Sequence, residues 1–139
     1  MTHPSYPTPT RTADNAALLD AWANDGALLI QTCTDCGADI FYPRAACPDC
    51  RSTALDWRAD SGRGRVVTYT IVHRGLSDPF AAEAPVVIAN IRLDSGPSMI
   101  ARVAGAGATG IATGDPVCLL QGAAAAPYPL PTFCKDAPT

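Results

Sequence analysis

No apolar run in this sequence approaches the ~18–20 residues that span a bilayer, so no membrane anchor is expected and the chain reads as soluble. Residues 1–11 are rich in Pro and Thr and lack the basic start and apolar stretch of a secretory signal. That absence points to a cytoplasmic protein and away from disulfide cross-links. Charge is scarce as well: ten basic and thirteen acidic residues leave a formal net charge of −3. An acidic chain is a poor binder of phosphate backbones, and its two Trp, four Tyr and three Phe are not concentrated on the expected strands. Neither half of a single-strand nucleic-acid site, the positive groove or the stacking platform, is in place.

Catalytic signatures are also missing. There is no GxGxxG after a strand, no Walker loop and no GxSxG elbow, and Gly62-Arg63-Gly64 is too short for a phosphate cradle. Histidine is limited to His3 and His73. His73 falls near the end of an expected strand, where an imidazole can titrate near neutrality. No Ser, Cys or carboxylate stands beside it in a nucleophile motif, so packing or hydrogen bonding is the simpler role. Any chemistry then belongs to another chain.

Against these absences stand Cys33-Thr-Asp-Cys36 and, ten residues further on, Cys47-Pro-Asp-Cys50. Random placement of six cysteines gives on the order of 0.2 i,i+3 pairs, so two this close together carry information. A CxxC turn sends two sulfurs to one side of a tight loop, and two facing turns make a sulfur tetrahedron. That is the donor set of one structural Zn²⁺, four thiolates with no position left for water. With the metal bound, the net charge becomes about −5. Iron suits the same sulfurs, because sequence fixes ligand type better than metal identity. A redox pair expects one motif beside a βαβ unit, which is not the pattern here. Cys118 and Cys134 lie far from the cluster and read as small, partly buried side chains. Arg44 and Arg51 flank the knuckles, where positive charge offsets a dianionic metal–thiolate centre; a contact to an anionic ligand is the sharper alternative.

A chain of 139 residues buries ~65–70% of its unfolded surface, enough for one core plus a small metal-stapled piece. Residues 1–13 read as a flexible lead-in. A helix is predicted over 14–25, with Asp14 as N-cap, Gly26 as stop and a Leu18/Leu19/Trp22 stripe. Short strands flank the knuckles, and 14–60 forms the helix-plus-ribbon unit. From Arg65 the periodicity shifts to two, with Val66, Val67, Tyr69, Ile71 and His73 in the first long strand. Further strands are predicted over 86–93, 98–103, 115–120 and 128–134, the first three barrel strands forming an antiparallel meander. Five short strands in 61–139 give a mainly β chain that closes as a small barrel, with the OB type leading. Apolar groups in exposed-looking connections, Trp22, Phe41 and Phe80, are candidate anchors for a partner.

The assembled motifs resemble the DUF35 family, acyl-CoA-associated OB-fold proteins with an N-terminal rubredoxin-like zinc ribbon. The resemblance runs from about Ala21 to Phe133. It rests on Trp22 with the Gly26 to Cys33 stretch, Tyr42-Pro-Arg44, Cys47-Pro-Asp-Cys50, Trp57 with Ser61-Gly-Arg-Gly64, Tyr69-Thr-Ile-Val-His-Arg74, Pro85-Val-Val-Ile, Leu93-Asp-Ser-Gly96, Gly114-Asp-Pro-Val117 and Leu130-Pro-Thr-Phe133. Two stretches depart from the family pattern: 105–114 lacks a polar helical segment, and 122–127 replaces a polar hairpin with alanines. The resemblance implies a non-catalytic accessory subunit, in a hetero-oligomer with a thiolase-like enzyme that acts on acyl-CoA by thiolysis, acyl transfer or retro-aldol cleavage. Such a subunit completes its partner and helps guide the CoA thioester, with Arg44 and Arg51 as candidate CoA contacts. The rivals from other classes are a nucleic-acid-binding zinc-ribbon/OB protein and a small iron-binding electron carrier.

Overall fold

A computed structural model describes residues 6–121 and 128–136. Helix α1 (Ala16–Asp25) is followed by β1 (Leu29–Cys33), β2 (Asp39–Ile40) and β3 (Leu55–Ala59), an antiparallel sheet in the order β2-β1-β3. Strand β4 (Arg63–Val72) opens the second part, followed by the short helix α2 (Phe80–Glu83), β5 (Val86–Leu93), β6 (Ser98–Val103), β7 (Pro116–Leu119) and β8 (Thr132–Lys135). These five strands close a barrel in the order β4-β5-β6-β8-β7. The β6–β8 contact is parallel and the others are antiparallel. The fold is thus mainly β, with a ribbon in front of a five-stranded OB-type barrel, as the turn and strand spacing predicts.

Strict alternation builds the barrel interior. In β5 the inward set is Val87, Ala89, Ile91 and Leu93, and in β6 it is Met99, Ala101 and Val103. Val66, Val117 and fully buried Phe133 complete the layer. The barrel does not keep this core to itself: Leu18 of α1 and Leu28 and Ile30 of the ribbon lie in the same buried cluster. Ala108 and Ile111 join the same core from the 105–114 connection, which makes a single 3₁₀ turn (Ala108–Gly110) in place of a longer helix.

Three local expectations are corrected. The helix begins at Ala16, with Asn15 rather than Asp14 at the cap position. Asn15 uses its side-chain oxygen to accept from the Thr12 N–H at 2.8 Å, and the turn 12–15 sets the helix start. The first barrel strand begins at Arg63 rather than Arg65 and so includes Gly64; a Cβ there would lie 2.5 Å from the Arg92 carbonyl oxygen, so glycine is what lets β4 and β5 approach. The alternation predicted from Val66 onward breaks, because a register shift between Val66 and Thr68 inserts a bulge. Beyond it β7 no longer pairs with β4, whose contacts to β7 stop at Arg65, and residues 67–70 are exposed. The alanine segment 122–127 lies outside the described residues. None of the described helices is long and apolar enough to cross a membrane.

Candidate metal centre and docking groove

Two backbone turns of the same shape present the four sulfurs. In the first, Gly37 N–H donates to the Cys33 carbonyl (2.8 Å) and Cys33 N–H to Ala38 O (2.9 Å). In the second, Arg51 N–H donates to the Cys47 carbonyl (2.9 Å) and Cys47 N–H to Ser52 O (2.8 Å). Each turn places the residue after its second cysteine in the left-handed region, Gly37 at φ 77° and Arg51 at φ 66°. The sulfur positions follow from this repeat. Cys33 and Cys50 Sγ are 3.5 Å apart, Cys36 and Cys47 Sγ are 3.6 Å apart, and all four lie within 4.8 Å of one another. Sulfurs held ~2.3 Å from a central ion stand ~3.8 Å from each other, so the spacing and the all-thiol donor set both fit a tetrahedral metal ion.

Cys33 and Cys47 are buried and Cys36 and Cys50 exposed, so the site sits at the tip of the ribbon with one side to solvent. The Cys33 thiol is drawn down to about 7, chiefly by the Cys36 backbone N–H, against the effect of burial. Cys36 receives an N–H bond from Ala38, yet sharing with the Cys47 sulfur, burial and the other two sulfurs push it up to about 12. Cys50, bonded by the Ser52 N–H, is likewise raised by its neighbour Cys33. Without a cation, four thiolates cannot coexist at this spacing; a bound dication supplies the missing countercharge.

The supporting contacts are polar and local. The Ser52 hydroxyl donates to the Asp35 carboxylate and ties one knuckle to the other. Buried Gln31 reads the backbone of residue 44 from both sides, accepting from Arg44 N–H at 2.8 Å and donating to Arg44 O at 2.9 Å. The side chains of Arg44 and Arg51 are exposed beside the knuckles. Arg51 therefore has a backbone role that the sequence reading missed. The signal was available in the repeat itself, where position 51 matches Gly37.

The candidate anchors fall in different places. Trp22 is 5% exposed and its indole N–H donates to Tyr128 O at 3.0 Å, so its ring fills its own fold. Phe80 is half-buried against the rings of Tyr6 (5.5 Å) and Tyr128 (6.2 Å). Beside it the Tyr6 hydroxyl donates to Glu83, and Glu83 pairs with Arg102 at 2.9 Å. Phe41 lines an apolar groove of about 500 Å³ where α1, the ribbon and β6 meet. Its other walls include Leu19, Tyr42, Ile100 and Leu130. Ile100 is 60% exposed and Tyr42 48%, and the Tyr42 hydroxyl accepts from Ile100 N–H at 3.0 Å, joining ribbon to barrel. Neither Tyr42 nor Ile100 stood out as an anchor in the sequence, because the pairing of the ribbon tip with β6 is a tertiary fact. His73 stands exposed just past the end of β4.

Residues 23–56 match the ChsH2 rubredoxin-like zinc ribbon domain and residues 57–119 the ChsH2 C-terminal OB-fold domain. A solved structure described as "Ltp2-ChsH2(DUF35) aldolase" is similar at 31% identity and a TM-score of 0.78, over 91% of this chain and 98% of that one. The chain belongs to the DUF35 family. A DUF35 domain-containing scaffold protein of Methanocaldococcus jannaschii is 43% identical over 46% of this chain and 45% of its own length. The corresponding scaffold protein of Methanothermobacter thermautotrophicus is 31% identical over 61% of this chain and 64% of its own length. The matches thus span less than two thirds of either curated relative. A DUF35 protein of unknown function from Sulfolobus solfataricus shares the fold at 17% identity, with a TM-score of 0.62. The two family models together describe a rubredoxin-like zinc ribbon and an OB fold, and they meet at 56/57, within β3.

Proposed function

We propose that this DUF35 protein is a non-catalytic accessory subunit that holds one structural Zn²⁺ and docks on a thiolase-like enzyme acting on acyl-CoA thioesters. The observation that carries the reading is the apolar groove at the ribbon–barrel junction, with Ile100 and Tyr42 exposed to solvent. Single exposed apolar residues are ordinary, but a contiguous patch built by two structural units is the usual mark of an interaction site. The likeness to the ChsH2 chain of an aldolase complex supports a partner enzyme as the occupant. Zinc at Cys33, Cys36, Cys47 and Cys50 holds the ribbon tip, and the tip in turn supplies Phe41 and Tyr42 to the groove. The metal thus has a structural part in docking and none in chemistry. Phe80 and Trp22 both touch Tyr128, which lines the groove, and the exposed Arg44 and Arg51 are the proposed contacts for the anionic part of CoA.

The test is capture of the partner from an extract of the native source by zinc-loaded protein, with identification by mass spectrometry. Wild type is expected to retain a thiolase-like subunit. Ile100→Asp, at a solvent-facing position, is expected to lower retention at least tenfold with unchanged metal content and melting temperature. Enrichment of nucleic acid instead, or equal retention of the thiolase-like subunit by both proteins, would overturn the reading.

A further inference from the structure

The two cysteines outside the metal centre meet across the barrel seam. Strands β7 and β8 pair antiparallel with Cys118 directly opposite Cys134, and their Sγ atoms are 3.6 Å apart although the residues are 16 positions apart in sequence. The flanking bonds, Leu120 N–H to Thr132 O at 2.8 Å and Asp136 N–H to Pro116 O at 2.9 Å, clamp the pair from both sides. Facing residues in this register have Cα atoms ~5.5 Å apart, inside the range a disulfide bridges. Neighbours Val117 and Phe133 point into the core, so Cys118 and Cys134 lie on the outer face of the barrel, where both are half-buried and within reach of a small molecule.

We propose that Cys118 and Cys134 form a reversible redox site: a dithiol that exchanges with low-molecular-weight disulfides to give an intramolecular Cys118–Cys134 bond. The thiolate of one of the two cysteines attacks one sulfur of the small disulfide, forms a mixed disulfide and expels one small thiolate. The other, deprotonated, then attacks the sulfur of the first and expels the second small thiolate. The protein dithiol loses two electrons and two protons, and the small disulfide becomes two thiols. Burial and the facing Cys118 thiol push Cys134 up to about 11.

The bond would act on the seam that holds the barrel shut. β7 meets β4 only over Arg63–Arg65, and Leu119 packs under Gly62, where any Cβ would come within 2.5 Å of its Cδ1. Linking β7 to β8 therefore fixes the seam covalently and removes loop freedom from the unfolded chain.

The experiment treats zinc-loaded protein with oxidised glutathione and follows it by intact mass, tryptic mapping and thermal melting. No Lys or Arg stands between 103 and 134, so both thiols fall in one tryptic peptide, 103–135. That peptide is expected to become lighter by two hydrogen atoms, with zinc retained. The melting temperature should rise by about 10 °C and return with dithiothreitol. Cys134→Ser and Cys118→Ser should each stop at a glutathione adduct on the remaining cysteine. A stable glutathione adduct on the wild type, bonding among Cys33, Cys36, Cys47 and Cys50 with loss of zinc, or no change at 103–135 would each overturn the assignment.

Discussion

Around the four cysteines the buried apolar set is Cys33, Ile40 and Cys47, with Ala38 and Leu55 packed against it. In the barrel a continuous cluster runs from Leu18 and Ile30 through β5 and β6 to Phe133. The first set is too small to offset the chain entropy of the residues it orders; the second is an ordinary hydrophobic core. A structural Zn²⁺ contributes ~10–16 kcal/mol of apparent binding free energy, which is the scale the ribbon tip lacks. Yet the division does not follow the chain boundary. Leu28 and Ile30 at the base of the ribbon belong to the barrel core, so dependence on the metal is expected to be confined to residues 33–54. Two stabilising mechanisms therefore meet within one strand, at Ile30 on one side and Cys33 on the other.

The comparison can be broken most severely at the metal. Cys47→Ser, or treatment with a strong chelator, is expected to abolish stoichiometric zinc and hydrogen-exchange protection over 33–54. The barrel amides of β5 and β6 should stay protected. Loss of protection in both regions would show that the barrel also depends on the metal. Rebinding should release protons at neutral pH, because Cys36 and Cys50 are both held above the ordinary thiol range and must each give one up. Calorimetry in buffers of different ionisation enthalpy measures that number, and metal affinity should fall as pH drops.

The reverse experiment empties the other core. Phe133→Ala is expected to cost ~3–5 kcal/mol of global stability in denaturant melts while zinc stoichiometry holds. A smaller effect is expected at Gly64, where an added methyl meets the Arg92 carbonyl oxygen at 2.5 Å and Ile91 Cγ2 at 2.8 Å. Gly64→Ala should cost ~1–3 kcal/mol by forcing β4 from β5, again without loss of metal. The smallest change sharpens the ribbon side. Arg51 holds a left-handed φ of 66° that an L side chain adopts at a cost, so Arg51→Gly should keep full zinc content and gain up to ~1 kcal/mol in metal-loaded stability. Loss of zinc from that variant would mean that the guanidinium, not the turn, is what the site needs.

The metal centre was legible in the chain because its geometry is local. A CxxC turn closes on itself through Gly37 or Arg51, and two such turns need only a short ribbon to face each other. The strands β5 and β6 were equally legible, since Val87, Ala89, Ile91 and Leu93 alternate against Met99, Ala101 and Val103 across one tight turn. By itself, then, the sequence determined the donor set, the strand pattern and the order ribbon then barrel. Tertiary structure decided everything that joins distant positions. Trp22 is a core residue because Tyr128, far along the chain, accepts its N–H. The groove exists because Tyr42 meets Ile100, and Cys118 meets Cys134 because β7 and β8 pair at the closing seam. Periodicity and spacing report only on neighbours a few residues apart, whereas these contacts are fixed by the packing of helix and ribbon on the barrel and by the pairing of its five strands.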